Sequence, residues 1–342
     1  MRARLDVDLD AFAANLQRIR ETVAPAQHML VVKDDAYGHG LSMIVPRAVA
    51  CGLGWFGTFD VSTALAVREA AGPAPRVLAW TIYDDTDIDD AVAGGIELGV
   101  GDDGLLDDVA RRARATGSPA RVHLKIDTGL HRNGIRPEGW AATVARARGY
   151  EAEGLLSLDG VWSHIAEASD EEDDAARAVF MQASAALEDA PVLRHLAASA
   201  AAFARPEFRF DLVRIGAFAY GIRPAGGPSD QALGIRPIAT LVAEVVAVAD
   251  GAAVVDVGSV DGLDSRLAGR LSAATPAGPR EIVGIDAFTT RIRLWDGARL
   301  GDEVALLGGR APSTATDAAE LLGTIGEQIL LRISPRVPRR YR

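Results

Sequence analysis

The stretch Met29-Leu30-Val31-Val32-Lys33-Asp34-Asp35-Ala36-Tyr37-Gly38-His39-Gly40 sets the pattern for most of this chain. Four apolar residues end in a lysine, and a polar segment closed by Gly38-His39-Gly40 follows. Residues 41–50 then read as an amphipathic helix. Outward from here the same unit recurs. Short apolar runs at 55–58, 76–80, 122–126, 160–164, 192–196 and 212–215 alternate with Ala- and Arg-rich segments such as 61–71, 105–115 and 175–187. Such alternation makes a parallel sheet with crossover helices. About eight units over roughly 220 residues fit a closed (β/α)8 TIM barrel, an α/β fold. An open doubly wound sheet is the competing arrangement. Its first strand normally leads into a Gly-rich phosphate turn, and Gly38-His39-Gly40 is too short for that fingerprint.

After Arg223-Pro224 the texture changes. Short runs at 239–248, 252–257, 281–285, 292–295, 304–307 and 328–333 are punctuated by Gly, Asp and Pro, so each is expected to be a strand. The expected division is 1–224 for the barrel and 225–342 for a smaller C-terminal, mostly-β domain. A chain of 342 residues suits two domains.

The net charge is −11 and no basic stripe stands out, which argues against a nucleic-acid partner. The first ten residues lack the apolar core of a signal peptide, and no apolar run is long enough to span a bilayer. Cys51 is the single cysteine, so no internal disulfide can form. A cytoplasmic protein without a membrane partner is the expectation.

Lysine usage carries more information. The chain has 36 Lys plus Arg, yet only Lys33 and Lys125 are lysines. Arginine replaces lysine as a surface charge but not as an amine that must lose its proton and act as a nucleophile. Both lysines end apolar runs instead of lying on solvated helix faces. His164, Ser199 and Arg214 also fall at or just past the ends of such runs. In a barrel those ends converge on one rim, where active sites are built. Taken singly, His164 or His195 could be a satisfied core histidine, Arg214 an ion-pair partner and Ser199 a helix cap.

A lysine at a strand end with a tyrosine four residues on suits a phosphate-bearing aldehyde cofactor. The segment from Val31 to Gly40 resembles the "VKANAYGHG" signature of the alanine racemase family, fold-type III pyridoxal-phosphate enzymes, differing at Asp34 and Asp35. Further segments resemble that family in order. Lys125-Ile126-Asp127-Thr128-Gly129-Leu130-His131-Arg132 is similar to "K-x-DTGM-x-R", and Trp162-Ser163-His164 to the "THF" strand. His195-Leu196-Ala197-Ala198-Ser199 is similar to "HxANS", and Val213-Arg214-Ile215-Gly216-Ala217 to "VRPGI". The resemblance implies pyridoxal 5'-phosphate bound as a Schiff base to Lys33, with Lys33 also acting as one catalytic base. It implies phosphate contacts from Tyr37, Ser199, Gly216 and Ala217, and ring contacts from His164 and Arg214. Arg132 would bond the phenolic oxygen, held by a Lys125 that carries a carbamate. The implied substrate is a small amino acid, probed first as alanine. The implied assembly is a homodimer, and no metal is implied.

The C-terminal part matches in outline. Gly258-Ser259-Val260-Asp261-Gly262 resembles "GYADG", and Arg336-Val337-Pro338-Arg339 resembles "RVPR". Racemisation needs a base on each face of the α-carbon, and in the family the second is a tyrosine from the partner subunit. Its hairpin is missing here, since 248–257 runs almost directly into Gly258. The family's late phosphate-binding tyrosine falls near Glu327. Only Tyr341 lies past residue 225, at an end expected to fray. Asp261, Asp264 and Asp286 are expected to be turn residues. Three readings follow: a racemase, a pyridoxal enzyme with one-base chemistry, and a catalytically silent cofactor-binding homologue.

Overall fold

The structure is a computed structural model that describes residues 3–167, 169–187 and 191–342. Strand β1 (Arg4–Val7) opens the chain. Eight strands follow: β2 (Gln27–Val31), β3 (Trp55–Asp60), β4 (Arg76–Thr81), β5 (Glu97–Val100), β6 (Ala120–Lys125), β7 (Leu156–Trp162), β8 (Leu193–His195) and β9 (Leu212–Ile215). They pair in parallel in the order β8-β7-β6-β5-β4-β3-β2-β9. The two ends of that order meet, because the Asp211 amide donates to Arg194 O (3.1 Å) and the Arg214 amide to Ala197 O (3.0 Å). The sheet is therefore a TIM barrel, as expected. Its floor is apolar, with Met29, Trp55, Leu78 and Leu212 packed together.

Two compact units make up the chain. Ile19–Lys33 and Ala48–Gly216 form one, which holds the eight barrel strands. Met1–Arg18, Asp34–Arg47 and Ala217–Arg342 form the other.

The second unit is mostly β. It adds β10 (Ala239–Ala249), β11 (Ala252–Val255), β12 (Ser272–Thr275), β13 (Gly278–Ile285), β14 (Thr290–Arg293), β15 (Glu303–Gly308) and β16 (Arg339–Tyr341). The order is β11-β14-β13-β12-β15-β10-β1-β16, with β11 also paired to β10. Strand β1 thus lies between β10, antiparallel, and β16, parallel. The strand expected at 328–333 is instead a helix, Gly326–Leu331. Gly326, Ile329 and Leu330 are its buried positions, a spacing of three and four that suits one helix face better than a pleat. Tyr341 does not fray. It pairs with Val7, and the Arg342 amide donates to Val7 O at 3.1 Å.

Directly after Lys33 the backbone makes a left-handed turn. Asp34, Asp35, Ala36 and Tyr37 all have φ between 53 and 56°. Left-handed α geometry costs L-residues roughly 1–2 kcal/mol each, least for Asp and Asn. Asp35 helps close the turn, its Oδ1 accepting from the Leu41 amide at 2.7 Å. Gly40 (φ +93°) must be glycine, since a Cβ there would lie 1.9 Å from the Tyr341 hydroxyl.

Candidate active site

Lys33 lies two residues past β2, Lys125 ends β6, His164 follows β7, Ser199 follows β8, and Arg214 is in the last half of β9. Parallel strands in a closed barrel bring these ends to one rim. The charges confirm the proximity. Burial, and then Arg214, Arg132, Lys125 and Lys33 together, pull the His164 pKa down to about 3. Its imidazole is therefore a neutral ring near neutral pH.

Arg214 is the most buried cation of the group, 5 % exposed. Its Nη2 donates to Ser163 O (2.6 Å) and Leu196 O (3.1 Å) and lies 3.2 Å from His164 Nδ1. Its Nη1 donates to His195 O (3.0 Å) and lies 3.2 Å from His195 Nδ1. Every one of these partners is neutral. Burial and the charge of Arg132 pull its pKa down, with Glu167 opposing. A guanidinium held this way suits a group that needs a nearby positive dipole without receiving a proton.

Trp162 is the platform under the cations. Lys125 Nζ lies 4.7 Å and Arg214 Cζ 5.1 Å from the centre of its ring system. His195 stacks on it at 5.7 Å with planes 3° apart, and Trp80 packs at 6.3 Å. Burial, then Arg132 and Arg214, lower the Lys125 pKa to about 8, with Asp127 opposing. The loop from Asp127 to Ile135 presents Arg132. Asp127 Oδ1 accepts from the Gly129 and His131 amides, each at 3.0 Å. Gly134 (φ +136°) lets the loop return, because a Cβ there would sit 2.7 Å from the Asp127 nitrogen.

Ser199 is the first residue of a helix, Ser199–Ala204, and not its cap, which is Ala198. Glu167 takes a capping role instead, accepting from the Ala201 amide at 3.1 Å. Gly216 follows β9, and Ala217 opens a 3₁₀ turn, Ala217–Tyr220. Tyr37 belongs to the second unit. It is buried with its ring centre 4.8 Å from that of Tyr220. Burial, and then the charges of Glu327 and Asp34, push its phenol above the ordinary range.

Sequence reading missed Trp162, Glu97 and His123. Glu97 and His123 are fully buried and joined at 2.7 Å. A charged residue at the head of an apolar run, Glu97-Leu98-Gly99-Val100, was the available signal. The expected turn roles stand. Asp261 Oδ2 accepts from the Gly258 amide, and Asp264 Oδ1 from the Arg266 amide. Asp286 opens the turn between β13 and β14, its amide donating to Thr289 O at 2.8 Å. The turn between β10 and β11 is Asp250-Gly251, and β11 leads through Asp256 and Val257 into Gly258. No tyrosine-bearing hairpin intervenes.

Two family models match the chain, "Alanine racemase, N-terminal domain" over residues 7–224 and "Alanine racemase, C-terminal domain" over 244–341. The alanine racemase of Thermobifida fusca is 37 % identical over 369 aligned positions, covering 99 % of this chain and 98 % of that protein. That alignment is longer than the chain's 342 residues, so the relative carries segments absent here. The crystal structure of the Streptomyces lavendulae alanine racemase superposes with a TM-score of 0.92 at 34 % identity, covering 100 % and 97 % of the two chains. The Streptomyces coelicolor enzyme does so with 0.93 at 34 %, covering 99 % and 98 %. With both halves matched in order, a lysine-bearing barrel rim and relatives covered almost end to end, this chain belongs to the alanine racemase family.

Proposed function

We propose that the chain is a pyridoxal-phosphate-dependent alanine racemase, with Lys33 holding the cofactor. Arg214 carries the reading: a buried guanidinium bonded only to neutral groups, on the rim that also bears Lys33. The donor set fits the cofactor. Lys33 would offer an amine, Arg214 would serve a ring nitrogen that must not be fully protonated, and His164 would offer a neutral ring. Ser199, Gly216, Ala217 and Tyr37 supply hydroxyl and backbone donors for phosphate. When bound, pyridoxal phosphate supplies an aldehyde for the lysine and a ring that acidifies the α-proton of an amino acid.

The protein's own share is positional. Lys33, once its amine is released, takes or returns the α-proton on its face. Arg214, which holds its own proton, limits how strongly the ring draws electrons. Positioned bases then carry more of the barrier. Lys125, among Arg132 and Arg214, carries a carbamate, which turns a repelling cation into an anion that holds Arg132. The protein works in the cytoplasm as a homodimer on a small amino acid. Among the described residues no helix is long and apolar enough to cross a membrane.

A second reading, one-base exchange at Lys33, is favoured by one observation, the direct run from β11 into Gly258. The relatives' names favour the racemase. One experiment separates them. The cofactor-loaded protein is incubated with L- and D-alanine in D2O, and α-deuteration and enantiomer are followed together. Interconversion with deuterium uptake is expected. Uptake with retention would establish one-base chemistry, and no uptake from either enantiomer would reject both.

A further inference from the structure

An unbroken line of hydrogen bonds crosses the barrel interior behind Arg214. Glu97 opens β5, His123 is on β6, His195 ends β8 and Arg214 is on β9. His123 Nε2 lies 2.7 Å from Glu97 Oε2, and His123 Nδ1 lies 2.8 Å from His195 Nε2. His195 Nδ1 lies 3.2 Å from Arg214 Nη1. Both histidines and the Glu97 side chain are completely buried. Space is reserved for the line, because a Cβ on Gly160 would stand 2.1 Å from His123 Nδ1.

The two ends fix every proton between them. A guanidinium only donates, and a carboxylate only accepts. Neutral imidazole has one donor and one acceptor nitrogen. Arg214 must therefore donate to His195 Nδ1, His195 Nε2–H to His123 Nδ1, and His123 Nε2–H to Glu97. The far end is anchored outside the site. Arg76 holds both Glu97 oxygens, its Nη2 at 2.7 Å, and Arg121 Nη1 stands 3.2 Å away. Asp159 joins the two arginines, 2.8 Å from Arg76 Nη2 and 2.8 Å from Arg121 Nε.

We propose that Glu97 is a positioning residue for the reaction: through His123 and His195 it sets the ring tautomers that give Arg214 its acceptor and hold its orientation. Glu97 touches neither substrate nor cofactor. Its own charge is matched by Arg76 and Arg121, and it reaches Arg214 only through the two imidazole rings. Without the carboxylate, His195 can turn its Nδ1–H toward Arg214. Two donors then face each other and the guanidinium shifts.

The effect on catalysis rests on the cofactor assignment above, so the first test does not. Histidine side-chain ¹⁵N shifts of the labelled wild-type protein should show His123 and His195 both neutral, with Nε2 protonated and Nδ1 bare. A doubly protonated ring or an Nδ1–H on either histidine would overturn the proposal. Glu97→Leu, which leaves His123 Nε2–H without an acceptor, is the second test. It should change the His195 tautomer signal and move the absorption maximum of the loaded enzyme. It should lower kcat by about 10- to 100-fold, the scale for a misplaced site group, with KM little changed. Arg76→Gln, which loosens the anchor and leaves the His123 bond, should keep the tautomers and most of kcat. Wild-type tautomers, spectrum and kcat in a folded Glu97→Leu protein would reject the role of Glu97. Altered tautomers in a protein without racemase activity would leave this network standing and remove the proposed function instead.

Discussion

Lys125 is a cation placed among cations. Burial and its neighbours Arg132 and Arg214 bring its pKa to about 8, from the 10.5 of a free lysine. Near pH 8 about half of such amines are neutral, against well under a hundredth for an ordinary lysine. Carbon dioxide adds only to the neutral amine, so the site that destabilises the ammonium also prepares it for a carbamate. We expect protein equilibrated with ¹³C-bicarbonate at pH 8 to show one carbamate carbon signal. Lys125→Arg should lose it, since guanidinium does not add carbon dioxide. A wild-type spectrum without that signal, or crystallographic density for a bare amine, would overturn the assignment. The composition made this residue visible, as one of two lysines in an arginine-rich chain. Its partners were less visible. Trp162 is an ordinary strand aromatic until the fold stacks it under Lys125 and Arg214.

At the scale of elements, the left-handed turn from Asp34 to Tyr37 is the costly piece. Four residues at roughly 1–2 kcal/mol each make a strain on the order of 4–8 kcal/mol, less where Asp eases it. Asp34 is exposed, so its backbone can be tested with little change in packing. Asp34→Gly should raise the melting temperature, worth about 0.5–1 kcal/mol. Asp34→Val should lower it by about 1–2 kcal/mol, since a β-branched residue resists positive φ. Thermal melts of the two variants check this, and melting points in the reverse order would refute the strain. No rule of periodicity announces such a turn, although Gly38 and Gly40 mark its end. The barrel was legible because apolar runs and amphipathic helices alternate with clear edges. The helices at 41–50 and 61–71 lie where the pattern puts them. Strand β5 was hard to see because Glu97 heads it and Gly99 interrupts it. The helix Gly326–Leu331 was read as a strand because a six-residue apolar run has too few turns to declare its period.

Across the whole molecule, buried histidines make stability depend on acid. Burial first, and then the charges and carbonyls of their neighbours, holds the buried His28 and His39 near pKa 4 and the half-buried His164 near 3. The unfolded chain takes up these protons at about pH 6.5. Between pH 6.5 and 4 it therefore binds more protons than the folded protein, and stability falls as pH falls. For three sites the loss is on the order of several kcal/mol. Melting of the cofactor-free protein from pH 7.5 to 4.5 checks this, and a flat profile would contradict the burial of the three rings. Glu97, drawn down to about 2, adds stability that is fully present above the ordinary carboxylate pKa and is lost as pH falls from there toward 2.

Strand β1 is made before every barrel strand, yet both of its neighbours are made after all of them, beginning at Ala239 and at Arg339. The barrel strands, all between Gln27 and Ile215, are complete well before that. A nascent chain stalled after residue 225 can thus hold a full barrel sheet while its N-terminal strand still has no sheet to join. Residues 339–341 must be made before the second unit can close around β1. A group fused after Arg342 would therefore sit beside the N-terminal strand, more than 300 residues away in sequence.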